Sequence, residues 1–478
     1  MAVGSSNDFD LVVLGAGTGG YTAAFRAAQL GLKVALVDED KIGGTCLHRG
    51  CIPTKALLES AAFTDRVRHA GDLGLKLPGE PEIDFRAMAS RRDQAVKRLW
   101  TGLKSLTTKN KVTWIEGHGR LDGPQKVRVK QAGEDGKPSG ERVLQATDVI
   151  LATGSRVKSL PGLEPDGKRI VTSDDVLRMA TLPKDIVIVG AGAVGVEFAS
   201  MFSDLGVTVS LLEYLPQIVP LEDVEVGRVV ERSFTRRGMT VMTNARFEPA
   251  AVSREGDGVC LMVGPEGQEP KELRAEMMLV ATGRAANIED IGLETTKIET
   301  DRGIVKVNGR MRTKEPHVYA IGDIVGGLWL AHTAAHEGIT AAHTIAGDAN
   351  VPEIDYNTQP RATYCRPEIA SIGLTEQQAR DKGIDVKVGK VPFQAIAKAI
   401  IVGEYEGFAK VVADAKTDDT LGVHIVGPHA TDLIAEASLA FELEATPWEI
   451  GAATHPHPTL SEVIGEAAMA VDGRSINF

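Results

Sequence analysis

Cysteine is scarce in this sequence, with four residues in a chain of 478. So few cysteines exclude a disulfide-stabilised scaffold, and in a reducing compartment two neighbouring cysteines are more often catalytic or metal-binding than structural. Two of the four, Cys46 and Cys51, lie five positions apart in the segment GGTCLHRGCIPTK. Cys260 and Cys365 are isolated, and we expect them to be inert. The close pair is therefore the first candidate for chemistry.

The sequence also lacks long apolar runs and an excess of basic residues. No uninterrupted apolar stretch reaches the ~18 residues of a membrane-spanning helix, so we expect no membrane partner. The net charge of −12 argues against a nucleic-acid partner, because binding to phosphates depends on basic patches. The first ten residues contain no Lys or Arg, which fits neither a secretory signal nor an Arg-rich transit peptide. We therefore expect a cytoplasmic protein.

The segment DLVVLGAGTGGYTAAFRAAQLGLKVALVDED has the pattern of a dinucleotide-binding turn. It predicts a strand, a glycine turn, a helix and a second strand that ends at Asp38. Gly15, Gly17 and Gly20 have the G-x-G-x-x-G spacing, in which bare backbone lets a pyrophosphate approach the helix N-terminus. The acid at the end of the second strand is placed to bind a ribose. Together these features are far more specific than a glycine triplet alone.

The same pattern recurs in DIVIVGAGAVGVEFASMFSDLGVTVSLLEY. Here Gly190, Gly192 and Gly195 form the turn and Glu213 ends the second strand. Two complete patterns predict two dinucleotides, as in a flavoprotein that also uses a nicotinamide. No Lys or Arg occurs between Glu213 and Arg228, and the acid would repel a 2′-phosphate, so NAD is favoured over NADP.

Three short repeats and a change in sequence texture predict the domain organisation. VILATGS and MLVATGR each end an apolar strand in a glycine turn, and their placement suggests crossings between two domains. HVYAIGDI is a third strand and turn, in which Asp323 is a helix cap or a ligand contact. After about residue 347, alternating strand patterns and a helix over Thr431–Glu444 indicate a separate α+β domain. We predict an α/β fold with two Rossmann-like domains. The expected segments are 1–150 (first nucleotide domain), 151–281 (second), 282–348 (return to the first) and 349–478 (the α+β domain).

The spacing of the cysteine pair predicts a broken helix. Five helical residues rise ~7.5 Å, which exceeds the Cα separation of about 7 Å that a disulfide allows. Gly50 must therefore interrupt the helix, and Pro53 indicates that a helix resumes beside it. The positive end of that helix favours a reactive thiolate.

Metal-binding alternatives for this segment fit less well. The C-x₄-C spacing begins an iron–sulfur pattern, but Thr54 stands where the third cysteine is required. A zinc site needs more nearby ligands than His48 supplies. We expect no metal site, while a coincidental pair of unoxidised cysteines stays open.

The segment THPHPTLSEVIGEAAMA offers two interpretations. Thr459 and Glu462 have the spacing of a capping box ahead of an apolar helix. Alternatively, Glu462 orients His457 as a general acid/base for thiol chemistry. The pair His455 and His457 is otherwise a surface doublet or a weak metal site. Spacing alone favours the capping box, but a redox dithiol that exchanges with an external thiol needs such a base, so both hypotheses stay open.

In combination, these motifs resemble the pyridine nucleotide–disulfide oxidoreductases. The resemblance covers nearly the whole chain and includes GGTCLHRGCIPTKALL, both glycine turns, YAIGDI, LAHTAAHEG, PEIASIGLTE, LGVHIVGP and HPHPTLSE. The chain departs from the usual family pattern at His48-Arg49, where Asn-Val is usual, and at Thr54, where Ser is usual. Both cysteines and Lys55 are kept.

The resemblance implies a role for each matching residue. Cys46 would exchange with a dithiol substrate, and Cys51 would pass electrons to FAD. His457, oriented by Glu462, would deprotonate the substrate bound to the neighbouring subunit of a homodimer, with the α+β domain as the interface. Lys55 and Glu197 would form an ion pair near the reactive flavin nitrogen and the nicotinamide. The other expected contacts are Gly15, Gly17, Gly20, Asp38, Lys55, Gly154 and Asp323 for FAD, and Gly190, Gly192, Gly195, Glu197, Glu213 and Gly283 for NAD.

Within the family, the motifs are most similar to members that oxidise protein-bound dihydrolipoamide with NAD. Such members serve the lipoyl domains of 2-oxo acid dehydrogenase complexes or another lipoyl protein. Reductases of glutathione usually prefer NADP and carry basic residues after the second turn, and reductases of mercuric ion add a terminal cysteine pair; this sequence has neither feature. A nucleotide-binding protein without catalytic activity stays open as a further alternative.

Overall fold

The computed structural model describes residues 8–132, 138–254, 256 and 258–478. The chain divides into two compact units, each assembled from three segments of the sequence. The first unit consists of Met1–Thr54, Ser90–Lys158 and Arg284–Tyr356, and the second of Lys55–Ala89, Ser159–Gly283 and Asn357–Phe478. Within the described ranges, no helix is both long and apolar enough to cross a membrane.

The first unit contains a seven-stranded mixed sheet. Its central strand, Asp8–Leu14, has Leu11, Val12 and Val13 fully buried, which explains the continuous apolar run LVVL because both faces of a parallel strand are covered. The parallel strands are Thr113–Glu116, Val34–Asp38, Asp8–Leu14, Pro138–Leu151 and Val318–Ala320; Lys126–Ala132 and His118–Leu121 continue the sheet antiparallel from Pro138–Leu151.

Two helices of the first unit pack closely on each other. Helix Thr18–Gln29 follows the first strand, and helix Ala331–Ile345 lies against it. A Cβ on Gly338 would lie 2.6 Å from the carbonyl oxygen of Gly19, so only small residues allow this approach. The unit also contains helix Gly44–Arg49, most of helix Phe85–Lys109, 3₁₀ turns Leu293–Thr295 and Gly322–Val325, and strand pairs Ser155–Val157 with Arg284–Ala286 and Thr300–Asp301 with Ile304–Val305.

The second unit repeats the nucleotide-binding architecture around a five-stranded parallel sheet. Fully buried Phe198, Phe202 and Phe234 fill the space between this sheet and its helices. The strands, in spatial order, are Thr240–Met242, Thr208–Leu212, Asp185–Val189, Met277–Val280 and Ile170–Val171. The helices are Ser173–Val176, Ala193–Asp204 and Val224–Arg236, and an antiparallel sheet of Ala245–Arg246, Val259–Pro265 and Lys271–Ala275 follows.

The C-terminal part of the second unit is an antiparallel sheet covered by helices. The predicted helix over Thr431–Glu444 is present as Ala430–Glu442. The strands, in spatial order, are Arg361–Thr363, Glu368–Gly373, Thr420–Gly427, Phe408–Asp414 and Val386–Pro392. The remaining helices are Glu376–Asp381, Ala397–Val402, Pro447–Ala452 and Glu462–Ala470, together with most of Cys51–Arg68. The 3₁₀ turns are Ala70–Leu73, Pro249–Ala251 and Phe393–Ala395, and Tyr356–Thr358 spans the boundary in sequence between the two units.

The predicted fold class is confirmed: the chain is an α/β protein with two nucleotide-binding sheets and an α+β C-terminal part. The predicted boundaries after residues 150, 281 and 348 stay predictions.

Candidate functional site

The first glycine turn joins the central strand of the seven-stranded sheet to the helix that follows it. Gly15 has φ +99°, and a Cβ there would lie 2.1 Å from the carbonyl oxygen of Ala152. A Cβ on Gly20 would lie 1.9 Å from the carbonyl oxygen of Gly15. Gly17 caps the helix without a side-chain hydrogen bond and has open space where its Cβ would be. The turn thus requires two glycines for its own packing, while the middle one leaves the helix N-terminus open to a pyrophosphate.

Asp38 brings a carboxylate to the same turn. Its Oδ2 accepts a hydrogen bond from the Ala16 amide at 2.6 Å, and its Oδ1 accepts one from the Asp40 amide at 2.9 Å. Burial raises the pKa of Asp38, and the two amide hydrogen bonds oppose the rise. A cavity of about 520 Å³ is lined by Gly15, Asp38, Thr153 and neighbouring residues. These residues fit the adenosine and pyrophosphate of FAD.

Asp323 is held by residues from the two other strand-turn repeats. Its carboxylate accepts a hydrogen bond from the Ser155 hydroxyl, which itself accepts one from Arg284 Nε at 2.6 Å. Gly154, with φ +70° and open space at its Cβ position, directly precedes Ser155. The capping hypothesis for Asp323 is wrong, because the short turn Gly322–Val325 contains Asp323 itself and has Ile321 at its cap position, without a side-chain hydrogen bond.

Glu337 is a buried carboxyl that the sequence did not identify as a site residue. Its Oε2 accepts a hydrogen bond from the Gly322 amide at 2.5 Å, and its Oε1 accepts one from the Tyr356 hydroxyl at 2.8 Å. Burial raises the pKa of Glu337 to about 7, and the negative charge of Asp323 adds to the rise. Glu337 belongs to the motif LAHTAAHEG, but nothing in its spacing indicates this contact.

The helix Gly44–Arg49, which carries Cys46, begins against the first glycine turn. The Gly43 amide donates to the Ala16 carbonyl at 2.8 Å. A Cβ on Gly44 would lie 2.6 Å from the Cα of Gly17. The cysteine segment is therefore attached directly to the backbone that fits a pyrophosphate.

Gly50 interrupts the helical path between the two cysteines, as predicted. It has φ −142° and ψ −112°, and Cys51 is the first residue of the 18-residue helix that follows. Both cysteines influence Tyr21 on the first-turn helix: burial raises the pKa of Tyr21, a hydrogen bond with Thr18 opposes the rise, and negative charge on Cys46 and Cys51 adds to it. The two cysteines therefore lie within electrostatic range of the same phenol.

Lys55 and Glu197 form the ion pair that the resemblance implied. Lys55 Nζ lies 2.8 Å and 2.7 Å from the two carboxylate oxygens of Glu197. Glu197 is buried and also accepts the Tyr364 amide at 3.0 Å, while the Lys55 ammonium lies 4.7 Å from the centre of the Tyr364 ring. The arrangement holds the ammonium in one place, four residues after Cys51 in the same helix.

The environment of Cys365 fits its predicted inertness, whereas the inertness of Cys260 stays a prediction. Cys365 is buried, and its thiol donates to the Pro367 carbonyl at 3.2 Å. Burial raises the pKa of Cys365, which disfavours a reactive thiolate. Cys260 is half-buried within the strand Val259–Pro265.

The second glycine turn has nearly the same backbone geometry as the first. Gly190 has φ +99°, and its Cβ would lie 2.6 Å from the Ala281 carbonyl oxygen. A Cβ on Gly195 would lie 1.8 Å from the Gly190 carbonyl oxygen, whereas Gly192 has open space. Gly283, with φ +115°, also has open space at its Cβ position. This turn fits a second dinucleotide.

Glu213 binds the second turn as Asp38 binds the first. Its Oε2 accepts the Ala191 amide at 2.7 Å and its Oε1 accepts the Leu215 amide at 2.9 Å. No Lys or Arg follows Glu213 closely in the sequence, but an arginine from a paired strand contacts the next residue. Arg246 donates to the Tyr214 carbonyl at 2.7 Å, and its guanidinium lies 3.7 Å from the centre of the Tyr214 ring. The sequence did not reveal Arg246 because strand pairing, not chain proximity, brings it there.

His457 and Glu462 are in direct contact, with Nδ1 and Oε1 2.9 Å apart. The other oxygen of Glu462 accepts the Thr459 amide at 2.9 Å. The capping-box hypothesis is wrong in one half, because the helix begins at Glu462 itself, with Ser461 as its cap and no side-chain capping bond. Burial alone would raise the pKa of Glu462, but the hydrogen bonds from His457 and Thr459 hold it below its usual value.

His455 has a separate carboxylate partner. Its Nε2 lies 2.7 Å from Glu436 Oε1, and this hydrogen bond raises the pKa of His455. Glu436 is a site neighbour that the sequence did not reveal, because it lies on another helix. Since each histidine pairs with its own carboxylate, the doublet does not form a shared metal site.

Comparisons with known proteins agree with this geometry. The model of the pyridine nucleotide-disulphide oxidoreductase family matches residues 9–338, and the model of the dimerisation domain of that family matches residues 359–468. The chain is 48% identical to the dihydrolipoyl dehydrogenase of Bacillus subtilis, over 99% of this chain and 100% of that one. It is 43% identical to the dihydrolipoyl dehydrogenase of Zymomonas mobilis, again over 99% and 100%.

Solved structures show the same architecture. LpdA of Mycobacterium tuberculosis matches with a TM-score of 0.88 at 29% identity, over 96% of this chain and 98% of that one. The HOCl-induced flavoprotein disulfide reductase RclA of Escherichia coli matches with a TM-score of 0.84 at 24% identity, over 97% and 99%, which is a likeness of fold.

The chain belongs to the pyridine nucleotide-disulphide oxidoreductase family. It is a flavin-dependent disulfide oxidoreductase that uses FAD and NAD, and the resemblance stated from its motifs is confirmed.

Proposed function

We propose that this enzyme oxidises protein-bound dihydrolipoamide to lipoamide and passes the two electrons through Cys46, Cys51 and FAD to NAD. The observation that carries the proposal is the attachment of the cysteine segment to the first glycine turn, with Gly44 against Gly17 and the helix broken at Gly50. The names of the relatives supply the substrate, since both are called dihydrolipoyl dehydrogenase.

The thiol half of the reaction balances within the cysteine pair. A substrate thiolate attacks the sulfur of Cys46 in the oxidised pair, and Cys51 leaves as a thiolate. The second substrate thiolate then attacks its own sulfur in the mixed disulfide, which releases lipoamide and leaves Cys46 reduced. Two electrons have entered the pair. Bound beside Cys51, FAD would supply the two-electron acceptor for this thiolate, and NAD would be the final acceptor of the hydride.

Lys55 and Glu197 act in this proposal as a fixed charge near the flavin. The ammonium is held by both oxygens of Glu197, and the Tyr364 amide binds the same carboxylate. A lysine held in this way stabilises negative charge that develops during electron transfer without having to reorient. Gly154 and Asp323 would complete the FAD site, and Gly283 the NAD site.

His457 is proposed as the base that takes the substrate thiol proton at Nε2, with Glu462 orienting the ring through Nδ1. The imidazole is exposed, with 71% of its side chain accessible, whereas Glu462 is 20% accessible. An exposed base on a dimerisation domain can serve the disulfide of a second copy, so we propose a homodimer with composite sites.

The proposed partners are lipoyl domains of 2-oxo acid dehydrogenase complexes or another lipoyl protein. The proposed location is the cytoplasm, because a redox-active pair among only four cysteines suits a reducing compartment.

A substrate panel tests the proposal. Purified enzyme with FAD should oxidise NADH with lipoamide and show little activity with oxidised glutathione or mercuric ion. Cys46→Ser and Cys51→Ser should each abolish lipoamide turnover while FAD stays bound. A preference for glutathione or mercuric ion, or near-normal lipoamide turnover by either variant, would contradict the proposal.

The role of His457 has a matched control in His455, which pairs with a different glutamate. His457→Gln should slow dihydrolipoamide oxidation roughly 10²- to 10⁴-fold, the usual effect of losing a general base, while flavin reduction by NADH persists. His455→Gln should have a much smaller effect. If subunits exchange, hybrids of His457→Gln with Cys46→Ser should regain one working site; failure to do so would place base and disulfide in one chain.

A further inference from the structure

Arg246 lies beside the acid of the second glycine turn because two main-chain segments pair there. The Glu213 amide donates to the Met242 carbonyl at 2.8 Å, and the Ala245 amide donates to the Glu213 carbonyl at 2.8 Å. Arg246 is the next residue, and its Nη1 donates to the Tyr214 carbonyl at 2.7 Å. An arginine therefore occupies the neighbourhood in which a ribose 2′-substituent would be discriminated.

The position of the guanidinium makes it a potential phosphate ligand. It lies 3.7 Å from the centre of the Tyr214 ring, and that ring is 65% exposed. An arginine stacked on an exposed aromatic ring is well suited to bind a phosphate, because its planar fork presents parallel N–H groups. By its chemistry alone, Arg246 would favour NADP.

Glu266 binds the terminal nitrogen of the Arg246 guanidinium that does not donate to Tyr214. Arg246 Nη2 donates to Glu266 Oε2 at 2.6 Å. The carboxylate is placed by the antiparallel pairing of Arg246 with Gly264 and by a 3.1 Å hydrogen bond from the Glu266 amide to the Asn244 carbonyl. The side chains are 32% and 71% accessible, so the pair lies at the surface, where a bound nucleotide can reach it.

We propose that Glu266 is a specificity-determining residue that prevents Arg246 from binding a 2′-phosphate. Glu213, Arg246 and Glu266 together carry a net charge of −1; without Glu266 the group is neutral and two guanidinium N–H groups are available. NAD preference therefore depends on two acids, one that faces the ribose and one that neutralises the nearby arginine. The inference rests on the proposed function, in which NAD is the final electron acceptor.

The substitution Glu266→Gln tests the proposal, with Glu272→Gln as its matched control. Glu272 accepts hydrogen bonds from Arg274 at 2.7 Å and 3.0 Å. Both residues lie on the strand Lys271–Ala275, and they form an exposed Glu–Arg pair like that of Glu266 and Arg246. Glu266→Gln should raise the ratio of kcat/KM for NADP to that for NAD roughly 3- to 10-fold, the effect of removing one charge at several ångströms in a mostly aqueous setting. Glu272→Gln should leave the ratio unchanged.

A second variant identifies the arginine as the cause. Glu266→Gln combined with Arg246→Met should return the ratio to its native value. Equilibrium binding of 2′,5′-ADP relative to 5′-ADP should follow the same order, and this readout does not require any thiol substrate. An unchanged ratio in Glu266→Gln, or a gain that persists without Arg246, would overturn the proposal. Absence of lipoamide turnover with normal nucleotide binding would instead contradict the proposed function.

Discussion

The two glycine turns are nearly identical in backbone but differ in what covers them. Gly15 and Gly190 both have φ +99°, and both turns leave open space at their middle glycine. The residue before the third glycine differs: it is Gly19 in the first turn and Val194 in the second. Gly19 is buried, and its Cβ would lie 2.9 Å from the Ala334 carbonyl oxygen, whereas Val194 is 41% exposed.

The comparison of the two turns distinguishes the contacts that bind a dinucleotide from the packing that retains it. Both acids accept the amide that follows the first glycine, at 2.6 Å for Asp38 and 2.7 Å for Glu213. The turns therefore offer the same recognition. The helix Ala331–Ile345 covers only the first, and the cysteine segment begins there as well. We infer that this covering is what suits the first turn to a retained FAD and leaves the second to an exchangeable NAD.

The largest effect is expected from exchanging the residue that differs between the two turns, Gly19 in the first and Val194 in the second. Gly19→Val gives the first turn the residue of the second, and its side chain would overlap the Ala334 backbone. We expect destabilisation of about 3 kcal/mol or more and loss of FAD, measured by thermal unfolding and by flavin absorbance per chain. Val194→Gly is the converse control and should cost less than about 1 kcal/mol. Full flavin content in Gly19→Val would show that the covering helix does not matter.

The covering helix also carries Glu337, whose titration makes the free energy of unfolding depend on pH. The pKa of Glu337 is about 7 in the folded chain against a reference value of 4.5. The folded state therefore binds more protons between these values, and its free energy of unfolding falls as the pH rises through this window.

Glu337→Gln removes this titration. The stability of Glu337→Gln relative to the native enzyme should rise by about 3 kcal/mol between about pH 5 and pH 8, measured by urea unfolding. Glu353→Gln, an exposed acid of the same unit, should show no such trend. A pH-independent difference for Glu337→Gln would contradict the assignment.

Substituting the middle glycines would test the shared recognition. A Cβ at Gly17 or Gly192 meets no protein atom within 4 Å, so Gly17→Ala and Gly192→Ala should fold normally. We expect roughly 10- to 100-fold weaker binding of FAD and NAD respectively, the worth of hydrogen bonds to a charged group. Flavin release and the KM for NAD measure this. Equal loss of both cofactors in either variant would mean that the turns are not independent.

Neutralising the acids should have the smallest effect. Asp38→Asn and Glu213→Gln keep the shape but can accept only one of the two backbone amides that each carboxylate binds. We expect about fivefold faster FAD release in the first variant and about fivefold higher KM for NAD in the second, the worth of one hydrogen bond. A larger effect in Glu213→Gln than in Gly192→Ala would reverse the proposed ranking.

Features set by local spacing were predicted well. Both glycine turns, the acids that follow them and the break at Gly50 depend on residues close in sequence, where steric limits on the backbone leave few alternatives. The Lys55–Glu197 pair was reached only through the family resemblance, because nothing local connects two residues so far apart.

The two hypotheses for Thr459 and Glu462 concerned local contacts, and each holds in part: Glu462 binds His457 and accepts the Thr459 amide, but the helix begins at Glu462 itself. Features that depend on long-range contacts were missed. The same limit hid the contacts of Glu436 and Glu337, since each partner lies on a separate element.

The sequence by itself determined that the chain has two dinucleotide-binding turns and a redox-capable cysteine pair, because glycine spacing and helix geometry are local properties. Only the tertiary structure decided which turn is covered, which acid His455 binds and where Arg246 lies. Those outcomes depend on strand pairing and helix packing, which join residues far apart in the chain. For example, the pairing of Ala245 with Glu213 places Arg246 beside the acid that is expected to bind the ribose.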